Sequence, residues 1–108
     1  MSTDGELLAR VARRKDLFRL VLYDDSFDDW TLVRDLGEFL VRTEDSEIMG
    51  HAILARALRH LGDRRRALVE LERCRTMMNS RQLHSWETEL FPSLLAGEEK
   101  QLSSEGNG

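Results

Sequence analysis

The stretch IMGHAILARALRHLGDRRRALVELERCRTMMNSR, Ile48 to Arg81, decides the fold of this chain. Its first half places Ile48, Met49, Ala52, Ile53, Leu54, Ala55, Ala57, Leu58 and Leu61 at helical spacing, so that most of the helix surface is apolar or small. Gly62 then reads as a left-handed cap, and Asp63 as the N-cap of a second helix carrying Ala67, Leu68, Leu71, Cys74, Met77 and Met78. With only a tight turn between them, the two helices are predicted to run antiparallel.

Counted from Ile48, the stretch puts His51 at position four, Leu54 at seven, Ala55 at eight, Leu58 at eleven, Ala67 at twenty, Leu71 at twenty-four and Cys74 at twenty-seven. Ala55 and Ala67 let two backbones approach, while Leu54, Leu58 and Leu71 fill the space beside them. In length and in its large and small positions the stretch resembles one tetratricopeptide (TPR) repeat. It departs from the pattern at His51, where an aromatic residue is usual, at Leu58 in place of tyrosine, and at Asn79 in place of the terminal proline. One period earlier, from Arg14, Leu17, Leu20, Val21 and Leu40 keep the register, but Asp24, Val33 and Gly37 do not. One period later, from Gln82, Pro92 falls at position eleven. The resemblance therefore implies an all-α fold of antiparallel helical hairpins stacked in a short, right-handed, TPR-like array of about five helices. Its parts are a degenerate pair at 14–47, the repeat at 48–81 and a capping helix at 82–101, within a single domain at 1–101 followed by a flexible tail at 102–108.

Outward from the repeat, Leu7, Leu8, Val11, Phe18, Val21 and Leu22 keep helical spacing, with Arg13, Arg14 and Lys15 interrupting the stripe, as one helix or two short ones. Asp24, Asp25 and Ser26 supply turn and N-cap residues, and a helix is predicted from near Phe27 to near Thr43, with Asp28 and Asp29 in its first turn. Glu44, Asp45 and Ser46 signal the next start. Beyond Asn79 and Ser80, Leu83, Trp86, Leu90 and Phe91 share one side of a further helix that Pro92 is predicted to end or kink, and Gly97 onward reads as a fraying end. No strand is convincing.

The chain has 108 residues, 41% hydrophobic and 33% charged, enough for one conventional core rather than a disordered segment. Cys74 is the sole cysteine, which excludes an internal disulfide framework and a cysteine-rich zinc site. No apolar run approaches the roughly 20 residues of a membrane helix, and Met1 to Glu6 lack the layout of a signal peptide, so a cytoplasmic, non-membrane protein is expected. The net charge is −4, unevenly spread: residues 24–47 hold nine acids and two bases, and residues 56–81 hold eight arginines and three acids. Attraction between adjacent helices is the ordinary reading of that asymmetry.

In TPR domains the first helix of each repeat lines the concave face. Carried to this sequence, the resemblance implies Met49, Ala52, Arg56, Arg59 and His60 as partner-binding residues. Arg56, Arg59 and His60 lie three and four residues apart and are placed to hold a carboxylate of an acidic peptide, unless they pair with Asp24, Asp25, Asp28 and Asp29. Arg64, Arg65 and Arg66 open the second helix against its dipole, which calls for acidic partners on the preceding pair. Net acidity and the lack of interleaved aromatics argue against nucleic acid. His51, His60 and His84 have no metal-ligand spacing, Asp24 to Asp29 lack a calcium-loop pattern, and Cys74 sits at a small-residue packing position. Trp30 and Trp86 read as core or inter-helix contacts. With no nucleophile–base motif and no glycine-rich phosphate loop, and with no cofactor implied, the expected role is non-catalytic: binding a protein or peptide, or a second copy as a homodimer. The alternative is a structural or regulatory bundle without a groove.

Overall fold

The computed structural model describes residues 4–43, 48–80 and 82–106, and these are organised into helices with no strand among them. Helix α1 is Asp4–Arg13 and α2 is one turn, Leu17–Arg19, which runs directly into a π-helical turn, Leu20–Asp24. Helices α3 (Trp30–Thr43), α4 (Ile48–His60), α5 (Arg64–Ser80) and α6 (Ser85–Gly106) follow. The described residues thus hold six α-helices, one more than expected, because the N-terminal stripe breaks where Arg13, Arg14 and Lys15 interrupt it. The break is closed by two tight backbone bonds, Arg14 N–H to the Val11 carbonyl and Leu17 N–H to the Arg14 carbonyl.

Helix α4 is the centre of the molecule, with eleven of its residues buried, on every side of the helix. Helices α3 and α5 lie along it. The antiparallel course of α3 against α4 follows from three contacts that step in opposite directions along the two: Trp30 to His60, Gly37 to Leu54, and Gly50 to Leu40. Two of the three are glycines. A Cβ on Gly37 would lie 2.8 Å from the Leu54 Cβ, and one on Gly50 would lie 2.9 Å from the Leu40 Cβ, so at each contact one helix presents bare backbone to a leucine of the other. Gly37, a departure from the repeat pattern in sequence, is therefore a packing requirement in three dimensions. On the other flank, Ala55, Ala67, Leu71 and Cys74 are all buried.

The turn between α4 and α5 forms as the sequence indicates. Gly62 adopts φ +86°, Asp63 N–H bonds the Leu58 carbonyl at 2.8 Å and Gly62 N–H bonds the Arg59 carbonyl at 3.1 Å, the paired bonds of a Schellman ending. Asp63 Oδ1 then accepts from Arg66 N–H and caps α5. Helix α3 begins at Trp30 rather than near Phe27, because Asp29, not the earlier acids, caps it through Leu32 N–H at 3.1 Å. Asp28 instead pairs with Arg14 at 2.8 Å.

Helix α6 differs most from expectation. It passes through Pro92 and Gly97 and ends at Gly106, so residues 102–106, expected in a flexible tail, are helical, while 107 and 108 lie outside the described residues. Its start is fixed by Glu87, whose Oε1 accepts from His84 N–H at 3.0 Å. Pro92 removes one intrahelical donor, but the carbonyl left over belongs to Thr88, which is exposed and can be met by water. The inward stripe is Glu87, Phe91, Leu94, Leu95, Glu98 and Leu102, all buried; of the predicted side, Phe91 belongs to this stripe, Leu83 and Leu90 pack half-buried against the core, and Trp86 is exposed. No helix among the described residues is long and apolar enough to cross a membrane.

Candidate functional site

The polar centre of the molecule lies where α6 and the π turn close over α4. Glu98 is fully buried, and its two carboxylate oxygens each meet a guanidinium: Oε1 accepts from Arg56 Nε and Oε2 from Arg59 Nε. Arg59 Nη2 reaches Glu98 Oε1 at 3.2 Å and Asp25 Oδ2 at 2.5 Å. Arg56 Nη1 donates to the carbonyls of Val21, at 2.6 Å, and Leu22, at 3.2 Å.

Those carbonyls are available for a local reason. The π turn ends at Asp25, which adopts a left-handed conformation (φ 53°) that aspartate tolerates better than most residues. The N–H groups of Asp25 and Ser26 both bond the Leu20 carbonyl, so the chain turns away without supplying donors to Val21 and Leu22. Arg56 supplies them. The same turn delivers the Asp25 carboxylate to the end of α4, where Oδ1 is 2.6 Å from His60 Nε2. His60 is stacked on Trp30 at a centroid separation of 3.8 Å, and Trp30 meets Phe27 edge-on.

Burial pushes the Asp25 carboxyl up, but the hydrogen bond from His60 and the charges and donors of Arg56 and Arg59 together outweigh it, leaving the group below the usual aspartate value. For Arg59, desolvation is likewise outweighed by Glu98 and Asp25, and its pKa is raised. Two guanidiniums thus face two carboxylates in a largely dehydrated seam.

Of the residues implied by the repeat resemblance, Arg56, Arg59 and His60 do converge, and on carboxylates. Those carboxylates belong to the chain itself. Ala52 is completely buried, Arg56 and Arg59 are buried, and Met49 is half-buried against the core, so these four lie inside the molecule rather than along an open face, and only His60, the last residue of α4, is exposed. The physical reason is α6, which continues past Gly97 and carries Glu98 onto the two arginines. Among the acids expected to pair with the arginines of α4, only Asp25 does. Asp24, Asp28 and Asp29 pair with Arg19, Arg14 and Arg10. At the start of α5, Arg66 meets Glu38 of α3 at 3.2 Å, as the charge pattern suggests, while Arg64 Nε caps the Leu102 carbonyl of α6 at 3.1 Å.

Beside the seam the surface opens into a cleft of about 340 Å³ between the π turn and the first turns of α6. Leu22, Leu90 and Leu94 form its apolar wall, with Tyr23, Trp86, Glu89, Ser93 and Arg56 completing the lining. Tyr23 is 71% exposed and Trp86 49%, the two most exposed large hydrophobic side chains among the described residues. Trp86, expected as a core or inter-helix contact, is half-exposed, and its ring leans against Phe91 of the same helix at 5.8 Å. This pairing of Tyr23 with Trp86 was invisible in the sequence, where the two lie in different elements with no shared motif.

Elsewhere, His51 is a packed histidine between α4 and α5, its Nδ1 2.7 Å from Glu70 Oε2. Cys74 is buried beside them, and burial, reinforced by Glu70, pushes its thiol up to about 12, which leaves it a neutral packing group at ordinary pH. No protein-family model, curated protein or solved structure matches the chain.

Proposed function

We propose that this protein is a non-catalytic protein–protein interaction module, built on a TPR-like α4–α5 hairpin, that meets its partner through the face formed by the π turn and the start of α6. The observation that carries the reading is the exposed aromatic pair Tyr23 and Trp86 at the mouth of one cleft. Two large rings left in water at a concave site are an ordinary sign of a binding surface, since aromatics dominate interface energetics. The arginines of α4 contribute indirectly: by engaging Glu98 and the carbonyls of Val21 and Leu22, they hold the two walls of the cleft in place.

The test is site-specific photo-crosslinking in the native cell. A photoreactive residue at position 86 should capture a protein, or a second copy of the chain, while the same residue at Leu68, an exposed position on α5 outside the cleft, should not. Equal or absent capture at both positions would overturn the assignment of the face. A second reading, a structural bundle without a groove, is favoured by the internal use of Arg56 and Arg59 and predicts that second outcome.

A further inference from the structure

We infer that the Tyr23–Trp86 cleft recognises a cationic side chain, a lysine or arginine presented by a basic segment of a partner protein. The inference rests on the interaction-module reading and adds the chemistry of recognition to it.

Two charged residues line the cleft, Arg56 and Glu89, and their situations are opposite. Arg56 is a buried cation whose charge is matched. Its Nε is on Glu98, its Nη1 is on two backbone carbonyls, and the Arg59 that shares Glu98 is itself matched by Asp25. Glu89 is exposed and has no ion-pair or hydrogen-bond partner among the described residues. The uncompensated charge of the site is therefore negative, and an acidic guest would meet Glu89 without gaining a free cation in return.

The remaining lining fits the shape of a long basic side chain. Such a side chain is apolar along its stem and charged at its tip. Leu22, Leu90 and Leu94 offer a surface for the stem. Tyr23 and Trp86 offer aromatic surface to the cationic head, and Glu89, one helical turn beyond Trp86, offers the counter-charge. A volume of about 340 Å³ stands at the low end of the range for binding pockets, roughly 300–1,000 Å³, and suits one side chain rather than a folded element. Arg56 contributes a second contact type. Its Nη2 has no hydrogen-bond partner among the described residues and is the donor left over for a carbonyl of the guest backbone.

Four capped tripeptides test this on the full chain: acetyl-Gly-Lys-Gly-amide, its arginine counterpart, and the leucine and glutamate counterparts, each titrated while the indole N–H of Trp86 is followed by NMR. The lysine and arginine peptides should shift that signal saturably, Glu89→Gln should weaken both by about tenfold, and Trp86→Ala should weaken them as followed at the Ser93 amide. Glu89 is exposed and has no partner among the described residues, so the Gln variant should keep its melting temperature, which separates lost recognition from lost folding. Preferred binding of the glutamate peptide, equal binding of the leucine peptide, indifference to Glu89→Gln, or no shift with any cation would each overturn the proposal. Crosslinking at position 86 reports separately whether this face meets a protein at all, so capture there combined with a silent lysine titration would reject the cation chemistry and leave the interaction surface standing.

Discussion

The two sides of α4 are held by different physics. Toward α3, the contact is backbone against backbone: Gly37 beneath Leu54 and Gly50 beneath Leu40, with no polar atom required. Toward α6 and the π turn, it is a dehydrated cluster in which Arg56 and Arg59 share Glu98 and reach out to Asp25, Val21 and Leu22. The first side tolerates no added volume. The second tolerates no lost charge, because removing one member strands its partners in a site that water barely reaches. A protein can thus fasten one central helix by shape on one flank and by valence on the other, and the two fastenings fail under different insults.

The largest expected effect comes from breaking the charged flank. Glu98→Ala leaves two buried guanidiniums facing one another and should cost about 3–5 kcal/mol in chemical denaturation. The sharper control is the triple replacement Arg56→Met, Arg59→Leu, Glu98→Leu, which removes the three buried charges at similar volume, leaves Asp25 to His60, and should recover most of that loss. If the triple variant were as unstable as the single one, the cluster would act through packing rather than through stranded charge. The shape-held flank comes next: Gly37→Ala places a Cβ 2.8 Å from Leu54 and should destabilise by about 1–3 kcal/mol, whereas Gly97→Ala, where a Cβ meets nothing within 4 Å, should stabilise α6 slightly. Equal effects at the two glycines would remove the close-contact account of α3 and α4.

The smallest effect is one of pH. Asp25 is held below its unfolded value of 3.8, so its contribution to stability is complete above that value and is lost as pH falls through the lower, folded value. Wild-type protein should therefore lose urea resistance between mildly acidic pH and pH below 3.8, and Asp25→Asn should be weaker at neutral pH with a shallower fall on acidification. An unchanged acid limb in that variant would assign the pH dependence to other carboxylates.

The same contrast explains what could be read from the sequence. The all-helical class, the turn at Gly62 and Asp63, and the buried small residues Ala55, Ala67 and Cys74 depend on local spacing, and local spacing shows them. The α3–α4 contact was concealed because Gly37 counts against a repeat when the sequence is matched to a pattern, although it is what the neighbouring helix needs. The inward stripe of α6 was concealed because two of its six positions, Glu87 and Glu98, are acids, and an apolar periodicity search passes over them. A signal was present: Glu98 falls in step with Leu94, Leu95 and Leu102, and α4 carries Arg56 and Arg59 on an otherwise apolar body. Matching the two would have required knowing that α6 returns to α4. The cleft needed more still, since Tyr23 and Trp86 come to line one site only after that return.

Arg56 links parts of the chain that are far apart in sequence, the Val21 carbonyl 35 residues before it and Glu98 42 residues after it. Contacts so distant carry a large loop-closure cost and are rewarded only after the hairpins of α3, α4 and α5 have formed. Folding is therefore expected to end at this one guanidinium, and opening to begin there. In hydrogen exchange, the amides of α6 and of the π turn should then behave as one cooperative unit that opens below the energy of the rest, which makes the walls of the cleft the part of the molecule most easily remodelled.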